Sequence, residues 1–351
     1  MDDRSCLLEQ TTSGAFADAL LAPIPTSPSF PACASLDLTS RCNLQCRHCF
    51  LRYEGVNRND KSTTDVVKVL DLLKDWGVLF LVLTGGDPLA RPDFKPIWRA
   101  AKQNGFFLTL FSNGTLLTDD LMDFLADQPP RRLELTAYGH TETVYETVTG
   151  IPGSYRRFRM AVDGLLQRGI LVRLKSMVLR SNAGELEAMR EWAVGLGCDF
   201  RYDAVIHPCL DGDIQPLTER LSPLEIARFR HRDRERLSNP EPLAPSPPRR
   251  RLFECGAGLL TAHVDSRHQA HPCMSWRIDP FDLTGQPTLA QWHTHITELR
   301  DRPAPGGRCD TCLDRGRCQC CAALSLLETG DYSGTPLFFC QLVKEERRLE
   351  G

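Results

Sequence analysis

The residue order predicts an α/β fold, a parallel sheet followed by a small cysteine-rich module, and three observations carry that prediction. From Ser35 to Ile206 short apolar runs alternate with helical stretches, and such alternation gives parallel strands joined by right-handed crossovers. Val78–Leu83 is an uninterrupted apolar run, as expected of a strand covered on both faces. From Cys255 to Cys340 long periodic segments give way to eight cysteines, and a region with so little core of its own needs a staple, for which metal is available.

The elements follow in order. Residues 1–34, rich in Pro, Ser and Thr, read as a lead-in too short to be a peptide-binding domain. Ser35–Arg41 alternates apolar and polar and reads as the first strand. In the next helix Val66, Val69, Leu70, Leu73 and Trp76 share a face, Ser62 to Thr64 offer caps and Gly77 suits the stop. Strand Val78–Leu83, a helix over Pro92–Asn104, strand Phe106–Phe111, helix Thr118–Ala126 and strand Arg132–Ala137 come next. Helical segments then reach Arg168, followed by strand Ile170–Leu179, helix Glu185–Leu196 and strand Phe200–Ile206. Domain boundaries are expected at 1–34, 35–206, 207–252 and 253–351. The third segment is a connector holding a charged helix and the Pro-rich stretch NPEPLAPSPPRRR. Periodicity alone does not distinguish an open sheet from a barrel; in either, reactive residues collect at the C-terminal ends of strands.

Composition narrows the function. The 351 residues are 42% hydrophobic and 25% charged, with net charge −3, an ordinary globular balance with no reason to expect a nucleic-acid partner. No apolar run reaches membrane-spanning length, and MDDRSCLLEQ has no signal-peptide pattern, so a cytoplasmic location is expected. Fifteen cysteines in a reducing compartment point to metal rather than disulfides. They fall into three at 42, 46 and 49, eight from 255 to 340, and four scattered at 6, 33, 198 and 209.

The first group lies in CNLQCRHCF, straight after the first strand. Three thiolates, Cys42, Cys46 and Cys49, can hold three irons of a [4Fe–4S] cubane and leave the fourth open to a small molecule. A zinc site completed by a nearby histidine such as His48 is the competing reading. The second motif is LTGGDPL, on the end of the next apolar strand. Its Thr84, Gly85, Gly86 and Asp87 form a turn whose glycines allow close backbone approach.

These two motifs in this order resemble the radical S-adenosylmethionine (SAM) superfamily. The resemblance implies a partial (β/α)6, TIM-like barrel open on one side. It implies that SAM chelates the open iron through its amino and carboxylate groups. Reduction then yields methionine and a 5′-deoxyadenosyl radical that takes a hydrogen atom from the substrate. Carbonyls of the Gly-Gly turn would accept from the SAM ammonium group, and Asp87 stands where many relatives have Glu. Ser112-Asn113-Gly114 resembles a family turn near the SAM ribose and carboxylate. Thr136 and Tyr138 end the fourth strand at the rim, and either Lys175 or Ser176, not both, faces the pocket from the fifth.

The C-terminal set resembles the SPASM extension, which carries two auxiliary iron–sulfur clusters. Cys309, Cys312 and Cys318 fit its pattern. The fourth place is held by Ala322, with Cys320 and Cys321 just before it, and the glycine usual five residues before the second cysteine is His268. The resemblance implies Cys309, Cys312, Cys318 and Cys340 at a distal cluster. Cys255, Cys273 and one or both of Cys320 and Cys321 would hold a proximal one. A zinc-ribbon-like module using His263, His271 or His293 is the alternative.

Cys198 reads as core. Cys209, after the last strand, is a candidate hydrogen-atom donor or substrate-bonding thiol on the reactive rim, and Tyr138 a second catalytic candidate. The SPASM class mostly modifies ribosomally made peptides. Sulfatase maturases carry an Asp just after the second auxiliary cysteine, where this chain has Met274, which argues against that activity. The expected function is therefore peptide modification. Oxidation or decarboxylation of a haem-type precursor is the runner-up, and a non-catalytic iron–sulfur electron carrier is the alternative from another class. Expected partners are an electron donor such as flavodoxin or ferredoxin and a peptide or small-molecule substrate; a peptide would need a separate carrier protein or direct docking in the barrel.

Overall fold

The computed structural model describes residues 31–51, 60–237 and 250–350; the lead-in up to residue 30, Cys6 and most of the Pro-rich bridge lie outside the described residues. The first half alternates as expected: β1 (Cys33–Thr39), α1 (Thr63–Asp75), β2 (Phe80–Gly85), α2 (Phe94–Gln103), β3 (Phe107–Ser112), α3 (Asp119–Asp127) and β4 (Arg132–Thr136). Then come α4 (Glu142–Thr149), α5 (Ser154–Gln167), β5 (Val172–Met177), α6 (Leu186–Gly195), β6 (Asp199–Asp203) and α7 (Pro223–Leu237). The caps are those the residues suggest. Ser62 accepts from the Asp65 amide at the start of α1, Thr118 and Thr141 do the same for α3 and α4, and Gly150 ends α4 with φ 68°.

Six strands, β6-β5-β4-β3-β2-β1, pair in parallel, and the sheet continues past β1. Three short strands that periodicity did not reveal extend it: β7 (Thr261–Val264), parallel to β1, then β8 (Gln269–His271) and β9 (Phe281–Asp282), both antiparallel. The cysteine-rich segment is thus sewn to the edge of the same sheet. Helices α8 (Leu289–Arg300), α9 (Ala322–Thr329) and α10 (Leu337–Glu350) complete it. Arg230 of α7 pairs with Glu346 of α10 at 2.8 Å, and Arg220 grips Glu328 of α9.

The two faces of the sheet differ in chemistry. Leu36, Leu38, Leu81, Leu83, Leu108, Leu110, Leu133, Leu135 and Leu174 point outward into one apolar cluster with Leu70, Leu73, Trp98, Phe158 and Met189 of the helices. Each such burial stabilises by roughly 1.5–3 kcal/mol. Alternation turns the intervening residues to the inner face, and many of them there are polar. Glu134 of β4 meets Arg173 and Lys175 of β5 and Arg201 of β6. At the other edge Ser35 Oγ lies 2.7 Å from His263 Nδ1 and Asp37 Oδ2 lies 3.2 Å from His263 Nε2. A face that helices covered would not carry such groups; this one lines an interior built for polar contents. The six-stranded half, helix-coated outside and, among the described residues, unpaired beyond β6, is the α/β partial barrel that the resemblance implies.

Candidate functional site

The loop leaving β1 carries Cys42, Cys46 and Cys49 at the C-terminal rim of the sheet. It is held by its backbone: the Gln45 amide donates to Thr149 O of α4 at 2.9 Å, and the Cys49 amide to Cys46 O at 3.2 Å. The three thiols face one another closely enough to repel. Burial pushes the Cys42 thiol up to about 11, and Asp87 and Cys49 add to the rise. Burial raises Cys46 further, with Cys49 and Cys42 contributing, while the Tyr138 hydroxyl facing Cys46 works against it. A positive metal assembly offsets such repulsion. Three thiolates at one rim could hold three irons of a cubane and leave the fourth without a protein ligand. His48 is buried and burial holds its ring down to about 4, with Nδ1 unpartnered among the described residues and the ring 5.3 Å from that of Tyr138.

The GGDP turn abuts this loop. The Gly86 amide donates to Thr39 O and the Asp87 amide to Arg41 O, both at 2.8 Å. A Cβ on Gly85 would sit 2.3 Å from Thr39 O, and one on Gly86 2.2 Å from Arg41 O. The close approach that the glycines permit is therefore made first to the chain itself, which locks the end of β2 beneath the cysteine loop. Thr84 is the last side chain before them and is partly buried. Asp87 is fully buried, and its carboxylate accepts from the Leu89 amide (2.9 Å), the Asn113 amide (2.8 Å) and Ser112 Oγ (2.9 Å). Burial raises its carboxyl and those three donors oppose the rise. Ser112 also accepts from the Gly114 amide at 3.0 Å. Asp87, Ser112 and Asn113 are thus brought together, and their polar groups are directed at one another.

Lys175, not Ser176, is on the inner face. Its Nζ lies 3.1 Å from the Phe111 ring centroid and 3.8 Å from Glu134 Oε2, whereas Ser176 faces Met189 of α6. Burial draws the ammonium group down to about 7; Arg201 and Arg173 push the same way and Glu134 opposes them. Tyr138 packs between His48 and Tyr145, and Asn182 Nδ2 holds its carbonyl at 3.0 Å. Cys209 is 1% exposed, its Sγ 3.6 Å from Cys49 O, while the Leu210 amide donates to Phe50 O. It braces the cysteine loop from beneath rather than standing at an open rim. Cys198 is buried, as expected of core.

The C-terminal thiols divide into two groups. Cys273 is pushed up to about 12 by burial, then by Cys321 and Cys255. Cys318 is pushed up to about 11 by burial, then by Cys340, Cys309 and Cys312. Cys320 is raised by burial and sees Cys318, Cys321 and Cys309; its Sγ lies 3.5 Å from Ser325 Oγ. Cys273 and Cys320 also pack on different apolar clusters, Cys273 against Trp276 and Phe253 and Cys320 against the main core. His271 and His263, candidates for zinc, face Asp265 and Asp37. His268 takes a left-handed φ of 66°, which explains physically why a glycine would suit that position.

Sequence reasoning missed the inner-face groups Asp37 and Glu134, and the pair Asn43–Thr115, joined at 2.8 Å. Charges inside strands that alternate with leucines were the available signal.

Comparison with known proteins places this geometry. The radical SAM superfamily model matches residues 36–193. An AdoMet-dependent haem synthase of Methanosarcina barkeri is 24% identical over 331 residues, 86% of this chain and 94% of that one. A PqqA peptide cyclase of Ruegeria pomeroyi is 32% identical over 178 residues, 50% of this chain and 47% of that one, so this match spans about half the cyclase. The structure of Streptococcus suis SuiB bound to precursor peptide SuiA superposes with a TM-score of 0.67 at 16% identity, covering 90% of this chain and 76% of that one.

Proposed function

The chain belongs to the radical SAM superfamily, and from that premise we propose that it is a peptide-modifying member. The observation that carries the reading is the trio of mutually facing thiols pinned at the strand ends by the Gly85-Gly86 turn. Cys42, Cys46 and Cys49 would hold the [4Fe–4S] cluster. Bound there, it supplies the single electron for reductive cleavage of SAM. The residues around it do the rest. Backbone carbonyls of Gly85 and Gly86 would accept from the SAM amino group, and Lys175 presents a desolvated amine to the interior. Tyr138 and His48 form an aromatic wall beside Cys46 that keeps water out. Cys255, Cys273 and Cys321 would hold the proximal auxiliary cluster and Cys309, Cys312, Cys318 and Cys340 the distal one, with Cys320 outside both.

A peptide substrate is favoured by the likeness to the PqqA peptide cyclase and to the solved complex of SuiB with precursor peptide SuiA. The haem-type reading has its own observation, a match over 94% of a haem synthase. A purely electron-carrying role has none, since a carrier needs no Gly-Gly turn under an open iron. No helix among the described residues is long and apolar enough to cross a membrane. An electron donor such as flavodoxin or ferredoxin completes the reaction.

Anaerobic protein reconstituted with iron and sulfide, given SAM and a chemical reductant, should release 5′-deoxyadenosine and methionine. Adding a panel of short peptides or, separately, a tetrapyrrole bearing propionates should raise that release and change the mass of one class only. A mass loss on the tetrapyrrole and none on any peptide selects the second reading; no 5′-deoxyadenosine at all rejects both.

A further inference from the structure

The turn Ser112-Asn113-Gly114 has a task that its likeness to a SAM-contacting turn does not include. Asn113 is buried. Its Oδ1 accepts from the Thr115 amide at 2.8 Å and from Thr115 Oγ1 at 2.6 Å. A backbone amide only donates, so this contact fixes which end of the carboxamide is oxygen. The NH2 end then points at the cysteine loop, donating to Asn43 Oδ1 at 3.0 Å and to Cys42 Sγ at 3.6 Å. The Leu44 amide donates to the same sulfur at 3.5 Å. Asn43 Nδ2 closes a ring by donating to Thr115 Oγ1. Behind it Asp87 holds the Asn113 amide, and Ser112 links Asp87 to Gly114. Every polar group of the Asn113 side chain is therefore directed at protein, and one N–H at a cluster sulfur.

We propose that Asn113 sets the reduction potential of the cluster held by Cys42, Cys46 and Cys49, by donating its amide N–H to Cys42 Sγ. A donor on a thiolate withdraws electron density and favours the more negative, reduced cluster. Asp87 acts through Asn113 as a positioning residue, fixing the backbone from which the amide is aimed. The inference rests on the proposal that the three thiols hold that cluster, and it assigns the turn to the electron step rather than to binding SAM.

The test is an anaerobic redox titration of the reconstituted full chain without SAM. It follows by EPR the cluster whose signal changes when SAM is later added, with SAM affinity measured in parallel. In Asn113→Ala the reduced-to-oxidised ratio at fixed potential should fall about tenfold, a downward shift of about 59 mV for one electron, with SAM affinity within twofold of wild type. Thr115→Val, which leaves the amide in place but unlocks it, should shift the potential the same way by less. An unchanged potential in Asn113→Ala overturns the proposal, and a tenfold loss of SAM affinity beside it assigns Asn113 to SAM instead. Should Asn113→Ala fail to hold iron, Thr115→Val decides, an unshifted potential again overturning the proposal. If wild-type protein shows no SAM-responsive cluster, the family reading of the site has failed, not this inference.

Discussion

The loop at 42–49 and the cysteine set from 255 to 340 bear the same chemical groups on different supports. The first loop is held by contacts to the rest of the protein. It leaves the end of a seven-residue strand, Gly85 and Gly86 press against the backbone of Thr39 and Arg41 just before it, and Asn113, Thr115 and Thr149 hold it with directed hydrogen bonds. The second set sits on a two-residue and a three-residue strand, a single 3-10 turn at Cys309 and short helices. A small cluster around Trp276, Phe253 and Leu299 is the apolar support for Cys273. An open iron needs a site whose shape is set by protein, since the vacant corner must be presented in one direction. A cluster closed by four thiolates, as Cys309, Cys312, Cys318 and Cys340 would make the distal one, can organise its own ligands, because metal binding is then also folding energy.

Replacing Cys42, Cys46 and Cys49 together by Ala breaks this comparison most sharply. Because that loop is held by backbone contacts, the variant should fold and keep its auxiliary metal while 5′-deoxyadenosine release drops to background. Iron per chain should fall from roughly twelve to roughly eight atoms. Loss of all iron would mean that the two sets are not independent.

The next effect lies within the second set. Cys321 faces Cys273 and Cys255, whereas Cys320 sees Cys318 and Cys309 and is hydrogen-bonded to Ser325. Cys321→Ser should lose roughly four irons and melt at a lower temperature, since that module leans on its metal, and Cys320→Ser should lose none. Equal losses in the two variants would mean that both neighbours serve one cluster.

Gly86→Ala probes the rigid side. Its Cβ would lie 2.2 Å from Arg41 O, a backbone atom with no freedom to swing aside. The substitution should destabilise by roughly 3 kcal/mol in urea unfolding and weaken SAM binding, leaving auxiliary iron unchanged. If SAM binding falls without loss of stability, the glycine serves the ligand more than the strand.

Much of this was legible in the residues because it was local. The six strand–helix repeats follow from periodicity, capping and stop signals, and each predicted strand overlaps the observed one. The cysteine loop and the Gly-Gly turn were legible as motifs. Lys175 against Ser176 was reduced to a choice by the two-residue period, which only the pairing with Glu134 could settle. The strands β7 to β9 were not legible, since two to four residues carry no measurable period and their pairing partner β1 lies over two hundred residues earlier. The fates of Asp87, Ser112 and Cys209 were hidden for the same reason. Their side chains suggested contact with a ligand, but their partners, Asn113, Asp87 and Cys49, come from other loops.

His268 offers the smallest and most direct comparison of the two supports. It holds φ 66°, where an L side chain is strained by roughly 1–2 kcal/mol and glycine is not. Its side chain is buried, and burial, with Lys61 adding to it, keeps the ring near 4 against an ordinary 6.5. The sign follows from the lowered value. Above pH 6.5 neither folded nor unfolded ring holds a proton and nothing is lost. As the pH falls toward 4 only the unfolded ring takes the proton, and stability drains away. His268→Gly removes both burdens and gives up buried contacts and some unfolded-state entropy, so at pH 7 its stability should lie within about 1 kcal/mol of wild type. At pH 5 the variant should gain about 2 kcal/mol more over wild type than at pH 7, read by urea unfolding at the two pH values. A difference that does not change with pH would mean that the folded ring titrates freely and that the turn before Cys273 is open to water.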